Sequence, residues 1–501
     1  MPVLVTIFMS RHLSPDRPGR APGENRCIEI FHETVNIMEK LLNDIMSRAL
    51  DAGADFADVR TGEGKATTIE IQDGRTEKVH SSAGMAVGVR VLLNGAWGFA
   101  SSRTLDEKEI RRCLEDALEL ARAAAPHVSE PASVAKANAV KDRVAMRAER
   151  RPDSVPVDEK VRAVFSLEGA ARKYDDRISN TRLTYSDGVT VSRIANTFGT
   201  YIEMETARTR SALIAVASDG SLRQTGYESV GRLEGFELIE KLTAEDLSLK
   251  AAKRAVDLLS AKPAPSGRLP VIFDHSVTGL FVHEAFGHNS EADLVWAGES
   301  IISDKMGKKI ASDLVTIVDD STLEGAWGSY AYDSEGVPAQ KRVLVENGVV
   351  KSFLHSLETA ARFGVQSNGA GRCDGAGNRP IVRMSNTFIE PGESKIEDMI
   401  AGLDYGVLLK GALSGYVSTE TGQFTCRTAE GWLIENGEIT SQLRDVAVNG
   451  MVLEALEEVD AVSDSFHLSM PGMCGKSGQG VPVDNGGPHI RVKSLVVGGQ
   501  G

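Results

Sequence analysis

Cysteine is scarce in this sequence: five residues, Cys27, Cys113, Cys373, Cys426 and Cys474, are scattered through 501. An odd and scattered set excludes a disulfide framework and fits a reducing compartment, so a cytoplasmic protein is expected. Long apolar runs are absent too, and no stretch approaches the ~18 residues needed to span a membrane. Val3 to Met9 is apolar but short, with no Lys or Arg before it and no small-residue cleavage site after it, so it does not read as a secretion leader. A basic excess is also missing. Lys and Arg number 56 against 70 Asp and Glu, for a net charge of −14, which argues against nucleic acid as a partner. There is no phosphate-cradling loop either: Gly475-Lys476-Ser477 ends like one, but Met470 stands where G-x-x-x-x-G-K-[ST] requires its first glycine.

What is present is ordinary globular composition, 42% hydrophobic and 25% charged, long enough for two to four domains. One stretch stands out: His283-Glu284-Ala285-Phe286-Gly287-His288. Two neutral imidazoles are good ligands for zinc, and a carboxylate between them is placed to take a proton from water. The spacing departs from H-E-x-x-H. Imidazoles four apart lie about 40° around an ideal helix, whereas five apart they lie about 140°. Both reach one metal only if the helix gains a residue, as in a π-bulge, or ends between them. Gly287 is the expected place for that distortion.

A catalytic zinc usually takes a third protein ligand. Candidates downstream are Glu291, Asp293, His355, Cys373, Cys426, His467, Cys474 and His489. Cys474 lies in a glycine-rich turn with Lys476 two residues on, a setting that can aim a thiol. On residue type alone, however, a lone cysteine is more often a small buried hydrophobe than a ligand.

The segments His283 to His288 and Cys474-Gly475-Lys476-Ser477-Gly478-Gln479 resemble the two signatures of the TldD branch of the TldD/PmbA family. Thr316 to Asp320, Asp333 to Pro338, Val345 to Gly348 and Met384 to Thr387 extend the resemblance, which covers residues 38–500. It implies a zinc metalloprotease acting on unfolded or unstructured peptides, with His283, His288 and Cys474 on the metal and Glu284 as the base. It also implies a dimer, either with a metal-free PmbA/TldE-like chain or with a second copy. Two other functions compete with this one: a metal-dependent amidohydrolase acting on a small molecule, and a non-enzymatic regulatory subunit.

The expected architecture is α+β in two domains, each of antiparallel sheets with segregated helices. Residues 1–37, rich in Pro, Arg and Gly between Arg11 and Arg26, are expected to be a disordered extension or to lie upstream of the true start. The first domain spans 38–260, 261–267 is a linker, and 268–501 carries the metal motif. Asp73-Gly74 and Asn94-Gly95 predict tight hairpins, and Asp187-Gly188 and Asp219-Gly220 predict further turns. Thr104 to Glu107 reads as a capping box and Thr243 as a helix N-cap. The metal helix is expected over 276–288. Tyr330, Tyr332, His355 and Arg372 are candidate oxyanion donors. The small-residue stretches Leu413 to Tyr416 and Thr421 to Gln423 are candidate edges for an extended peptide.

Overall fold

The computed structural model describes residues 24–468 and 470–499. Of the extension expected over 1–37, residues 1–23 lie outside this range. Helix α1 runs Glu24–Asp51, where apolar residues at helical spacing from Ile37 to Leu50 predict a helix over about 34–52; it starts earlier because no Pro or Gly interrupts the chain between Gly23 and Gly53.

Seven strands form one sheet in the N-terminal half, in the order β3-β2-β1-β5-β6-β4, with β7 beside β6. They are β1 (Phe56–Gln72), β2 (Arg75–Leu93), β3 (Ala96–Ser102), β4 (Lys141–Val144), β5 (Ile178–Asn196), β6 (Tyr201–Asp219) and β7 (Leu222–Arg232). Pairing is antiparallel except for β4 on β6. Both expected hairpins form. Asp73, Gly74, Asn94 and Gly95 all have positive φ, the two-residue turn that matches strand twist. Two helix pairs cover the sheet. Helix α1 and α2 (Glu107–Ala124) seat Leu42, Ile45, Ile110 and Leu114 on Val87, Val89 and Val91. Farther along the chain come α3 (Val157–Arg172), α4 (Glu237–Lys241) and α5 (Ser248–Leu258). Helices α3 and α5 seat Val164, Leu167, Ala251 and Ala255 on Leu183, Tyr185 and Leu213.

Three local expectations fail. Asp187-Gly188 is not a turn but the middle of β5, because Asp187 is buried against Lys160 Nζ at 2.5 Å. The cap of α2 is Asp106, whose carboxylate accepts the Glu109 amide at 2.8 Å, not Thr104. Thr243 closes a turn with Asp246 and does not cap α5, which starts at Ser248.

The expected linker is stitched into structure: β8 (Lys262–Pro263) lies parallel to strand Glu438–Arg444. Beyond it, β9 (Gly267–Phe273) enters an eight-stranded sheet. Five of that sheet's strands pair in a closed cycle: β9, Tyr405–Val417, Gln423–Glu435, Val446–Met451 and Ile490–Gly499. A second, seven-stranded sheet includes Ile317–Asp320, Lys341–Glu346, Asn386–Ile389 and Gln479–Gly487. The fold is therefore α+β in two domains, with mainly antiparallel sheets and four parallel pairs among the described residues. Among the described residues, no helix is long and apolar enough to cross a membrane.

The two halves meet over buried charge. Arg60 and Arg90 both reach Asp58, and Arg90 Nη2 also binds Glu335 Oε1 of the C-terminal half at 2.8 Å.

Candidate metal centre

Helix α6 (His275–Val282) leads into the site. Asp274 caps it, accepting the Val277 amide at 2.9 Å, and its second oxygen accepts the Gly411 amide at 3.1 Å. One carboxylate thus fixes the helix start against strand Tyr405–Val417. The inward face is mainly apolar, with Val277, Phe281, Val282, Ala285 and Phe286 fully buried beside one hydroxyl, Thr278. Each phenylalanine contributes roughly 1.5–3 kcal/mol by burial, which anchors the register of the residues between them.

At His283 the helix widens. His283–Gly287 is a π-helical turn, and the His288 amide donates to the His283 carbonyl five residues back. This is the extra residue that the five-residue spacing demands. Gly287, however, is needed for a different reason than expected. Its φ is −55°, open to any residue, but a Cβ there would lie 2.0 Å from Met384 Sδ. Close approach, not a special backbone angle, calls for glycine.

The turn brings the imidazoles of His283 and His288 to 5.1 Å between ring centroids, near perpendicular at 81°. Hairpin Gly472–Lys476/Gln479–Gly487 delivers Cys474, whose Sγ lies 3.5 Å from His288 Nε2. One ligand atom from each of the three residues lies within 4.8 Å of the others. His283 and Cys474 are buried, at 4% and 5% exposure. Burial pushes the Cys474 thiol up, but the two histidines overcome that and pull it down to about 4. Burial likewise presses both imidazoles down, and Cys474 lifts His283 while Glu291 and Cys474 lift His288 well above the ordinary range. Two imidazoles and a thiolate drawn into one buried point are the donor set of a borderline divalent metal. His283 Nδ1 is buried without a hydrogen-bond partner among the described residues, so the site fits a metal by both donor chemistry and an orphaned nitrogen.

The alternative third ligands go elsewhere. Glu291 is fully buried on the far side of His288, with Oε2 3.1 Å from its Nδ1 and 3.2 Å from Lys476 Nζ. Lys476 Nζ in turn binds both oxygens of Asp293 at 2.7 Å. Arg383, also fully buried, donates to the Cys474 carbonyl and, at 3.1 Å, to the Gln479 carbonyl. These groups orient the candidate ligands from behind. Glu291, Asp293 and Lys476 stand near the two motifs in the sequence, whereas Arg383 has no such local sign. His467 and His489 stack around His275, with ring centroids 4.6 and 4.3 Å away. His355 packs between Phe353 and Phe363. Cys426 is buried in strand Gln423–Glu435, its thiol pushed up to about 12 by burial and by Glu284. Cys373 lines a separate cavity between the halves.

Glu284 is half-buried and faces strand Tyr405–Val417; a Cβ on Gly415 would lie 2.9 Å from its Cγ. Of the oxyanion candidates, Tyr330 donates to the Gly369 carbonyl and Tyr332 to Asp142, each at 2.6 Å. Arg372 donates to the carbonyls of Met384 and, at 2.8 Å, Pro482. Each is engaged elsewhere.

Profiles of the PmbA/TldA metallopeptidase domains match the chain in three segments: domain 1 over 57–121, the central domain over 150–259 and the C-terminal domain over 266–499. The chain belongs to the TldD/PmbA metallopeptidase family. Domain 1 and the central domain share the single N-terminal sheet described above. A metalloprotease of Methanothermobacter thermautotrophicus is 41% identical, over 92% of this chain and 98% of its own. A metalloprotease of Methanocaldococcus jannaschii is 40% identical, over 90% and 98%. A protein of Saccharolobus solfataricus named as a zinc metalloprotease TldD homolog is 26% identical, over 91% and 99%. Among solved structures, TldE of Thermococcus kodakarensis has the same fold, with a TM-score of 0.76 at 20% identity, covering 92% of this chain and 100% of its own. The candidate metal centre thus lies in the C-terminal domain of a metallopeptidase-family chain.

Proposed function

We propose that this chain is a zinc-dependent peptidase acting on unfolded or unstructured peptides, with His283, His288 and Cys474 as the metal ligands and Glu284 as the general base. The observation that carries the proposal is the π turn, which spends one extra residue to aim two histidines at a cysteine 186 residues away from the second. Zinc held there would supply a Lewis acid that makes water more acidic and a carbonyl more electrophilic.

The rest of the chemistry falls to the chain. Glu284 accepts the proton of the attacking water at its carboxylate and returns it to the leaving amine. Glu291 accepts from His288 Nδ1, fixing the tautomer that leaves Nε2 toward Cys474. The segment Ala412 to Val417 pairs with Phe424 to Thr428, while β9 reaches only Val407 to Leu409 on the other side. The edge beside Glu284 is thus available to an extended peptide, bound by backbone hydrogen bonds and so with little regard to sequence. Leu413 and Tyr416 are exposed there, at 46% and 69%. The chain acts in the cytoplasm as a dimer, with a metal-free PmbA/TldE-like chain or with itself.

The test is the metal content of the purified chain beside Cys474→Ala, together with cleavage of an unfolded polypeptide. Close to one zinc per chain, largely lost in the variant, supports the ligand set. Zinc retained in full without Cys474, or no zinc in the intact chain alone and mixed with a PmbA/TldE-like partner, overturns it.

A further inference from the structure

Between the two halves lies a cavity of about 1190 Å³. Six cationic side chains line it, and four are neutralised: Arg60 by Asp58, Arg147 by Glu324, Arg193 by Glu63 and Glu203, and Lys241 by Glu149. The other two, Arg208 and Arg372, have no carboxylate partner among the described residues. Arg208 donates only to the carbonyls of Trp327 and Ser329, at 3.2 and 2.9 Å. Arg372, 6% exposed, donates only to the carbonyls of Met384 and Pro482, and its guanidinium lies 4.9 Å over the Tyr330 ring. The two therefore sit on neighbouring residues, Ser329 and Tyr330. Arg208 comes from β6 of the N-terminal half and Arg372 from the C-terminal half.

Uncompensated cations in an interior are expensive, and carbonyl dipoles repay only part of that cost. Here the cations are also set against each other: burial presses Arg208 down to about 10, and Arg372 is the neighbouring charge that adds to it. The acidic groups of the same lining do not relieve them. Glu205 is held by Arg151, Glu234 by Arg232, and Asp333 accepts the amides of Glu335, Val337 and Gly371. What completes such a pair is an anion from outside. A guanidinium fork matches the oxygens of a carboxylate or phosphate. The cavity is far larger than a lone oxyanion and has the size of a site for a small organic molecule.

We propose that Arg208 and Arg372 form a binding site in this cavity for an organic anion, gripped through its carboxylate or phosphate group. The site is separate from the metal centre. Met473 lines the cavity while its neighbour Cys474 faces the histidines, as alternation along a strand requires. The occupant therefore lies on the opposite face of the Cys474 hairpin. Because Arg372 also holds Pro482, the register partner of Met473, the occupant bears on that hairpin from behind.

The test is calorimetric titration of the full chain with succinate and, separately, with inorganic phosphate, at ionic strength matched with chloride. Binding needs no metal, so the experiment stands apart from the peptidase proposal. Saturable binding of either probe is expected, with the stronger one identifying the terminal group. Affinity should fall at least tenfold in Arg208→Gln and in Arg208→Lys, and persist in Arg147→Gln, where the removed charge is already paired. In anion-free buffer Arg208→Gln should melt no lower than the parent, since it removes an uncompensated charge. No saturable binding to the parent, or undiminished binding in both Arg208 variants, overturns the site. An Arg208→Gln chain that melts far below the parent and gains as much from the probes overturns it as well.

Discussion

His283 and His288 stand five positions apart, yet their rings lie 5.1 Å from centroid to centroid, because the helix carrying them widens by one residue between them. Gly287 makes that widening possible by leaving room for Met384. Gly287→Ala is therefore expected to overpack the turn, costing about 1–3 kcal/mol and loosening the hold on metal. Adding Met384→Ala to the same chain should recover most of the lost metal retention. Thermal melts and zinc retention against a chelator measure both. A Gly287→Ala chain indistinguishable from the parent would remove the steric account.

Glu284→Gln keeps the shape of the side chain and removes the base. Peptidase activity should drop about 10²–10⁴-fold with zinc content unchanged. Rate measurements on an unfolded polypeptide, paired with metal analysis, separate this from loss of the site. Full activity in the zinc-loaded variant would end the role assigned to Glu284.

Glu291 reaches the metal centre through His288 Nδ1, Lys476 and Arg383. Removing its charge with Glu291→Gln should weaken metal affinity about 10–100-fold without abolishing binding. Competition with a zinc chelator reads the shift directly. A complete loss of metal would instead make Glu291 a ligand.

His355 offers a pH test away from the site. Burial among Phe353 and Phe363 presses its pKa from 6.5 to about 4. The unfolded chain binds the proton more readily, so this contribution to stability is whole above pH 6.5 and is lost as pH falls toward 4. The parent should lose about 3 kcal/mol more than His355→Gln between pH 7 and pH 4. Denaturant titrations across that range check it, and parallel pH curves would refute it.

Much of the site was legible because metal chemistry restricts residue types. Two imidazoles at an awkward spacing called for a widened helix, and a glycine-flanked thiol was a candidate before any contact was known. Asp73-Gly74 and Asn94-Gly95 were legible because their turns need positive φ. Asp187-Gly188 misled because the same dipeptide fits a turn or a buried carboxylate, and only Lys160, 27 residues upstream, decides. The support from Glu291, Lys476 and Arg383 was hidden for a similar reason. Charged residues near a motif look solvated until the fold buries them. The unpaired state of Arg208 depends on contacts spread over both halves, and no local pattern records it.

The pairing order of the C-terminal sheets also sets a schedule for synthesis. The half opens with β9, whose antiparallel partner is Ile490–Gly499, at the end of the described chain. His288 leaves the ribosome 186 residues before Cys474. Contacts so distant in sequence form late and slowly. A nascent chain therefore holds two histidines with no thiolate to join them and a sheet with no closing strand. Whatever peptide-cutting power the finished protein has, its half-made copies do not yet possess it.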